Sequence, residues 1–365
     1  MIPFRVAAAI FGVALVFAAL GSAVRAVVLP RAVQGRLARW VFRFTRVLFR
    51  VMASQRKSYD RRDKTLAMYA PVSLLMLVLV WELCLFAGFT AIYWAMGIEP
   101  LARAVRVSGS SLFTLGTDRA QGLAASLTMF GEAALGLLVL ALLITFLPSL
   151  YAAFSRRESM VALLESRAGA PPSVVEMITR YYRIHGLGEL KSVWPQWEVW
   201  FAEVEESHTS YPALAFFRSP QAHHSWVTSA GAVLDTAAFR ASTLDLDREP
   251  QAELCIRAGY IALRRVAYFF GIPYDPDPAP DDPISISRQE YEDACRILQE
   301  RGVPLRADRD QTWKDFAGWR VNYDSVLLAL AGFVTAPEAP WSSDRAHRYW
   351  RYPLFGVSAV PRNPR

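Results

Sequence analysis

The chain has 365 residues, of which 53% are hydrophobic and 20% charged, and a mean hydropathy of +0.19. That bias argues against an ordinary soluble enzyme or a disordered chain and points to membrane spans. The net charge of +7 comes from 40 Lys and Arg against 33 Asp and Glu, and its placement carries more information than its total. Cys84, Cys255 and Cys295 stand at no metal-binding or disulfide spacing, which fits a reducing compartment.

Three apolar runs are long enough to cross a bilayer, at about 20 residues per crossing. They are Val6–Val24, without a charge, Val72–Met96, with Glu82, and Leu123–Tyr151, with Glu132. The first run has a rival reading as a signal peptide cleaved near Ala26. Charge asymmetry argues against it. Residues 31–64 carry eleven Lys or Arg and two acids, whereas residues 98–122 carry three basic residues. The Arg-rich side is cytoplasmic. This places the N-terminus outside, residues 31–64 inside, residues 98–122 outside and everything after Tyr151 inside an inner cell membrane, with Arg156 and Arg157 following at once.

Within the first inner segment, Arg36, Arg39, Arg43, Arg46 and Arg50 recur at intervals of 3, 4, 3 and 4, one stripe on a helix. Leu37, Val41, Phe44, Leu48 and Val51 occupy its other faces. The pattern predicts an amphipathic helix on the inner leaflet, its Arg row against anionic lipid headgroups. A voltage-sensing helix also carries serial Arg, but such a helix needs a bundle bearing counter-acids, and only one span precedes it.

Between the second and third spans, residues 101–113 have the apolar spacing of a short helix. Thr114-Leu115-Gly116-Thr117-Asp118 follows, and then a new span. Stacked backbone carbonyls can replace the hydration shell of a cation, and glycine supplies the dihedrals that turn successive carbonyls to one side. A helix that ends at such a segment directs its partial negative charge toward the cation.

This order of span, short helix, Thr-x-Gly, acid and span resembles the potassium-channel pore-loop superfamily in its two-span pore form. The likeness covers roughly Val72–Arg157. In that family the filter reads Thr-Val-Gly-Tyr-Gly-Asp. Here Thr114, Leu115 and Gly116 stand for Thr-Val-Gly, and Asp118 for the acid at the outer mouth. Thr117 alone stands where the family has Tyr-Gly, so the filter is one residue shorter and forms fewer carbonyl rings. The resemblance implies an ion pathway at Thr114–Asp118 and a re-entrant pore helix before it. It also implies a homotetramer, since one pore loop cannot enclose a pathway, and transient monovalent cations as the only metal. Glu132, about six residues into the third span, is expected behind the filter, accepting from Ser110, Ser111 or Thr114; Ser111 and Glu132 are the candidate filter supports. Gly136 and Pro148 are candidate gating hinges, Pro because it removes a backbone donor. Helix packing is the other reading of Gly136. Glu82 suggests no partner.

From Ser155 onward the sequence reads as a soluble helical domain. Candidate helices are residues 156–169, 171–186, 189–206 (interrupted by Pro195), 224–242, 251–271, 287–302 and 320–334. Adjacent His223 and His224, with His208, do not suit a single metal ion, and Cys255 and Cys295 fall on predicted helix faces as packing residues. Asp275, Asp277, Asp281 and Asp282 lack the loop glycine and closing Glu of a calcium site and read as a solvated turn. The tail, residues 341–365, is basic and aromatic, which suits inner-leaflet contact.

The expectation is therefore an all-α membrane protein with three transmembrane helices, a re-entrant pore helix and a cytosolic helical domain. The segments are 1–30 (first span), 31–65 (Arg-rich surface helix), 66–157 (pore module), 158–340 (cytosolic domain) and 341–365 (tail). The expected function is a tetrameric channel or channel-like protein for monovalent cations, potassium first among them. Two rivals are a non-conducting receptor or scaffold with a degenerate pore loop and a membrane-tethered enzyme. The reading assigns no cofactor, no nucleic-acid partner and no catalytic residue; a ligand of the cytosolic half is unspecified.

Overall fold

The computed structural model of the protein describes residues 2–27, 35–53 and 59–349. Residues 350–365 of the basic tail, and parts of the 28–58 region, lie outside these. Among the described residues the chain is all-α. It forms no strand, only an isolated antiparallel bridge between Leu244 and Leu305. Contacts divide it into two compact units, Met1–Lys57 with Thr65–Ala152, and Ser58–Lys64 with Ala153–Arg365.

In the first unit, α1 (Ile2–Val27), α4 (Tyr69–Ala95) and the start of α6 (Leu123–Ala168) follow the apolar runs. These runs belong to the three helices long and apolar enough to cross a membrane. The short α3 (Tyr59–Ala67) leads into α4. Helices α1 and α4 run antiparallel and touch through glycine. A Cβ on Gly12 would lie 2.4 Å from the Gly88 carbonyl oxygen, and one on Gly88 would lie 2.9 Å from that of Gly12. Small residues let the two backbones meet, the usual device where no water drives helices together. Trp81 Nε1 donates to Ser22 Oγ at 3.1 Å further along, and Arg5 pairs with Glu99 at the other end.

Helix α2 (Arg36–Met52) packs on the first turns of α4. Thr45 Oγ1 lies 2.7 Å from Ser73 Oγ, and Tyr69 Oη donates to the Phe42 carbonyl at 3.2 Å.

In the second unit, α9 (Trp226–Ser242) is almost wholly buried. Its sequence explains why: Ala, Gly, Ser and Thr occupy all faces, so neighbours approach closely all round. Around it lie α7 (Val174–Arg183), α8 (Val193–Ser210), α10 (Pro250–Phe269), α11 (Arg288–Glu300), α12 (Arg309–Arg320) and α13 (Asp324–Val334). Pro195 does not interrupt α8. It sits in the first turn, where its missing N–H would have had no partner. Ser287 and Glu290 form a reciprocal capping box at the start of α11.

Buried charge organises this core. Arg320, fully buried, pairs with Asp235 and, at 2.9 Å, with Asp324. Tyr323 Oη donates to Asp235 at 2.9 Å, and Ser285 donates to Asp324 through both its N–H and its hydroxyl. Arg157, equally enclosed, donates to the carbonyls of Leu214 and Phe217 and pairs with Glu158. Asp63 pairs with Arg218, which explains why residues 58–64 join this unit rather than the spans.

Candidate functional site

The residues of interest follow α5 (Leu101–Leu112), which starts at Pro100 and packs against α4. Alternation at helical spacing gives α5 one buried face, Ala104, Val107, Ser108 and Ser111. Two hydroxyls on this face hold the helix in place, and a third, on Ser110, holds the loop that follows. Ser108 Oγ donates to Glu132 Oε1 at 2.5 Å, Ser111 Oγ donates to the Met129 carbonyl at 2.7 Å, and Ser110 Oγ accepts from the Asp118 N–H at 3.0 Å.

Glu132 is fully buried on α6. Its second oxygen, Oε2, accepts from Tyr93 Oη at 2.8 Å. One carboxylate thus joins the end of α4, the middle of α5 and the first turns of α6. Of the expected donors, Ser110 turns to the Asp118 N–H, and Thr114 Oγ1 donates to the Phe113 carbonyl. Tyr93 and Ser108 were not foreseen. Ser108 precedes Ser111 by one helical turn, a signal that could have identified it; nothing in the sequence marks Tyr93.

The chain leaves α5 through a tight reversal. Leu115 and Gly116 both donate their N–H to the Ser110 carbonyl, at 2.8 and 3.4 Å, and Thr114 donates to Ser111 at 3.0 Å. Gly116 takes φ +70° and Thr114 takes φ +55°. The left-handed region is open to glycine but strained for a β-branched residue, at a cost on the order of 1–3 kcal/mol. Strain of this kind concentrates at functional segments. Phe113–Thr117 are exposed within the single chain. Asp118 pairs with Arg106 of α5 at 3.4 Å, a neutralising partner the sequence reading lacked.

Gly136 lies against the end of α5. A Cβ there would stand 2.8 Å from Leu112 Cδ1 and 3.0 Å from the Leu112 carbonyl oxygen, whereas Gly131 has open space. This contact gives Gly136 a packing role. Helix α6 continues through Pro148 to Ala168 without interruption. Glu82 Oε1 and Thr90 Oγ1 on α4 are enclosed and find no partner among the described residues.

The five Arg of the expected row lie on α2, with Arg36, Arg43 and Arg50 exposed and Arg39 and Arg46 partly covered. The helix has three faces rather than two. Val41, Phe42, Thr45 and Phe49 are buried, while Trp40, Phe44, Val47, Leu48 and Val51 form a separate exposed apolar stripe.

In the second unit, His208 Nδ1 lies 2.8 Å from the Val204 carbonyl, so this nitrogen carries the proton. Nε2 then accepts from Arg157 Nη1 at 3.2 Å. Burial, reinforced by the Arg157 charge, holds this imidazole well below its ordinary pKa. His224 Nε2 lies 3.3 Å from Glu165. Cys255 and Cys295 are buried, and burial pushes the Cys295 thiol up to about 11. Asp275 and Asp282 accept the N–H groups of Asp277 and Ala279, closing their own turns. Among the described residues no His, Cys, Asp and Glu group is arranged to hold a metal ion.

No family model, curated protein or solved structure matches this chain.

Proposed function

We propose that the protein is a multi-pass membrane protein of the pore-loop type, a channel or channel-like assembly for monovalent cations. The loop from Thr114 to Asp118 is its selectivity segment, α5 its re-entrant pore helix and the second unit its cytosolic domain. The observation that carries the reading is the three-way anchor at Glu132. It fixes a short helix between two span-length helices, and this helix ends in a strained, exposed Thr-Leu-Gly-Thr-Asp turn. Non-helical backbone at membrane depth is tolerated only where it is buried in protein or lines water. A surface connector has no need of a buried carboxylate, which is costly in a membrane helix and usually functional there.

The pathway requires several copies, and α6 has the surface for them. Within one chain 17% of its apolar window is buried, against 44% for the helix containing α4. Potassium is the first candidate ion by resemblance of Thr114, Leu115, Gly116 and Asp118 to the family filter. Packing of α1 along α4 supports a retained first span over a cleaved leader, and the Arg row of α2 supports an inner-leaflet position with anionic headgroups as partners.

A second reading, a non-conducting scaffold with a degenerate loop, draws on the Arg106–Asp118 pair, which offsets the mouth acid within its own chain. Flux of potassium, rubidium and sodium into proteoliposomes separates the two. Conduction that Gly116→Ala removes while assembly persists supports the channel. Absence of flux in the wild type at every voltage and pH supports the scaffold.

A further inference from the structure

Between α7, α9, α11 and the segment Pro340–Trp341, the second unit forms a cleft of about 310 Å³ that opens to the surface. This is at the small end of ligand pockets. Among the described residues its walls include Val174, Ala232 and Trp341, together with three carboxylates, Asp235, Glu290 and Asp293, and no Lys, Arg or His. Asp235 is 2% exposed. Among the described residues its hydrogen bonds, from Arg320 and from Tyr323, both fall on Oδ1, and Oδ2 of this cleft-lining residue has no partner there.

The charge balance behind the walls has one sign. Arg320 serves two carboxylates, Asp235 and Asp324. Arg345 serves Glu290 and Asp344. Arg296 serves Asp293 and Glu300. Each lining carboxylate thus shares its cation with a second acid outside the cleft, and the Arg296 group lies largely in solvent. Of the three lining carboxylates only Asp235 is buried, and a buried carboxylate that shares its cation is costly unless something more offsets it. A bare metal ion does not suit these surroundings, because most of the lining is hydrocarbon. A cation with an apolar body does: its charge meets Asp235 Oδ2, and its hydrocarbon meets Val174, Ala232 and the Trp341 ring, which itself favours a cation over its face.

We propose that this cleft is a binding site for a small organic monocation of the alkylammonium class. The proposal is independent of whether the first unit conducts ions. The test is calorimetric titration of the full-length protein in detergent with n-butylammonium, n-butanol and butyrate, which differ in charge and little in shape. Butylammonium should bind once per chain, at least about tenfold tighter than butanol (about 1.4 kcal/mol), and butyrate should not bind. Asp235→Asn should lower butylammonium affinity about tenfold, and Ala294→Leu, which fills the cleft from α11, should abolish binding. Should Asp235→Asn disturb the Arg320 cluster, Asp293→Asn, with its side chain 45% exposed, reports the same charge effect through a smaller, salt-sensitive loss. Equal affinity for butylammonium and butanol overturns the proposal. So does butylammonium binding that survives Ala294→Leu unchanged, since that binding lies elsewhere.

Discussion

Tyr93 and Glu132, 39 residues apart in sequence, meet through a 2.8 Å hydrogen bond between the end of one span-length helix and the start of another. Ser108 completes the join at the other carboxylate oxygen. Replacing Glu132 with Ala takes the acceptor from the buried Tyr93 hydroxyl, a penalty of about 1–3 kcal/mol, and leaves Ser108 Oγ with the Phe86 carbonyl at 3.1 Å. Glu132→Ala should therefore lower the thermal midpoint of the detergent-solubilised protein more than Tyr93→Phe or Ser108→Ala alone. Glu132→Gln, which keeps an acceptor oxygen, should lie between. Equal midpoints for Glu132→Ala and Ser108→Ala would mean that the carboxylate does not hold the three helices together.

Gly136 and Gly131 offer an internal control on hinge against packing. A methyl group at Gly136 strikes the Leu112 side chain and carbonyl, while at Gly131 it meets nothing within 4 Å. Overpacking costs about 1–3 kcal/mol. Gly136→Ala should destabilise the protein and displace the loop, and Gly131→Ala should leave thermal stability unchanged or slightly raised. A hinge role predicts a different result, in which Gly136→Ala stabilises and only gating changes.

The three span-length helices were legible because each is an unbroken apolar run, and α5 because its apolar spacing and the turn after it are local. Other features were hidden for physical reasons. Helix α12 escaped because its sequence is polar, with a narrow buried stripe of Thr312, Phe316 and Arg320; the Asp308 cap was its one local signal. Arg320 reads as a surface residue in sequence, and only the meeting of α9, α12 and α13 makes it a core residue. The Arg row of α2 was plain, but the split of its apolar residues into a buried and an exposed face depends on which side α4 covers. At the site, Gly116 and Asp118 belong to one short motif, whereas the Tyr93–Glu132 pairing is a tertiary fact that no spacing encodes.

That exposed stripe on α2 leads to a lipid prediction. On the proposed inner-leaflet position, Trp40, Phe44, Val47 and Val51 would enter the acyl boundary and the Arg row would reach headgroups. Full-length protein should retain anionic phosphatidylglycerol over zwitterionic phosphatidylcholine in native mass spectrometry. Changing Arg36, Arg43 and Arg50 to Gln should reduce that preference by about 1 kcal/mol per charge. Changing Trp40 and Phe44 to Ser should weaken binding of both lipids equally. A triple Arg variant with undiminished preference would remove α2 as the contact.

His208 gives the second unit a pH limit. Its folded pKa lies well below that of the unfolded chain, through burial and then through Arg157. Stability from this group is therefore fully present above the unfolded value of about 6.5. It is lost as pH falls below that value toward the folded pKa, because the unfolded chain gains a proton that the folded one refuses. Thermal midpoints measured between pH 8 and 5 should decline in the lower half of that range, and His208→Gln should flatten the decline. A wild type with no such slope would contradict the buried neutral imidazole.

Arg106 and Asp118, 3.4 Å apart at the foot of the loop, supply the sharpest test of the channel reading. Both side chains are partly exposed, so the pair itself adds at most about 1 kcal/mol to stability. Its larger effect is on the field at the mouth, where Arg106 offsets the acid that would attract cations. Arg106→Gln should raise potassium entry into proteoliposomes, Asp118→Asn should lower it, and the double variant should resemble Asp118→Asn. These differences should be greatest at low ionic strength and fade toward 1 M salt, where the screening length falls to about 3 Å. Changes that persist unaltered at high salt would point to loop geometry instead, because Asp118 also donates its N–H to Ser110. Gly116→Ala separates that case. Its methyl group meets no neighbour, so any loss of flux it causes comes from the left-handed backbone it resists, at about 1 kcal/mol, and should be independent of salt.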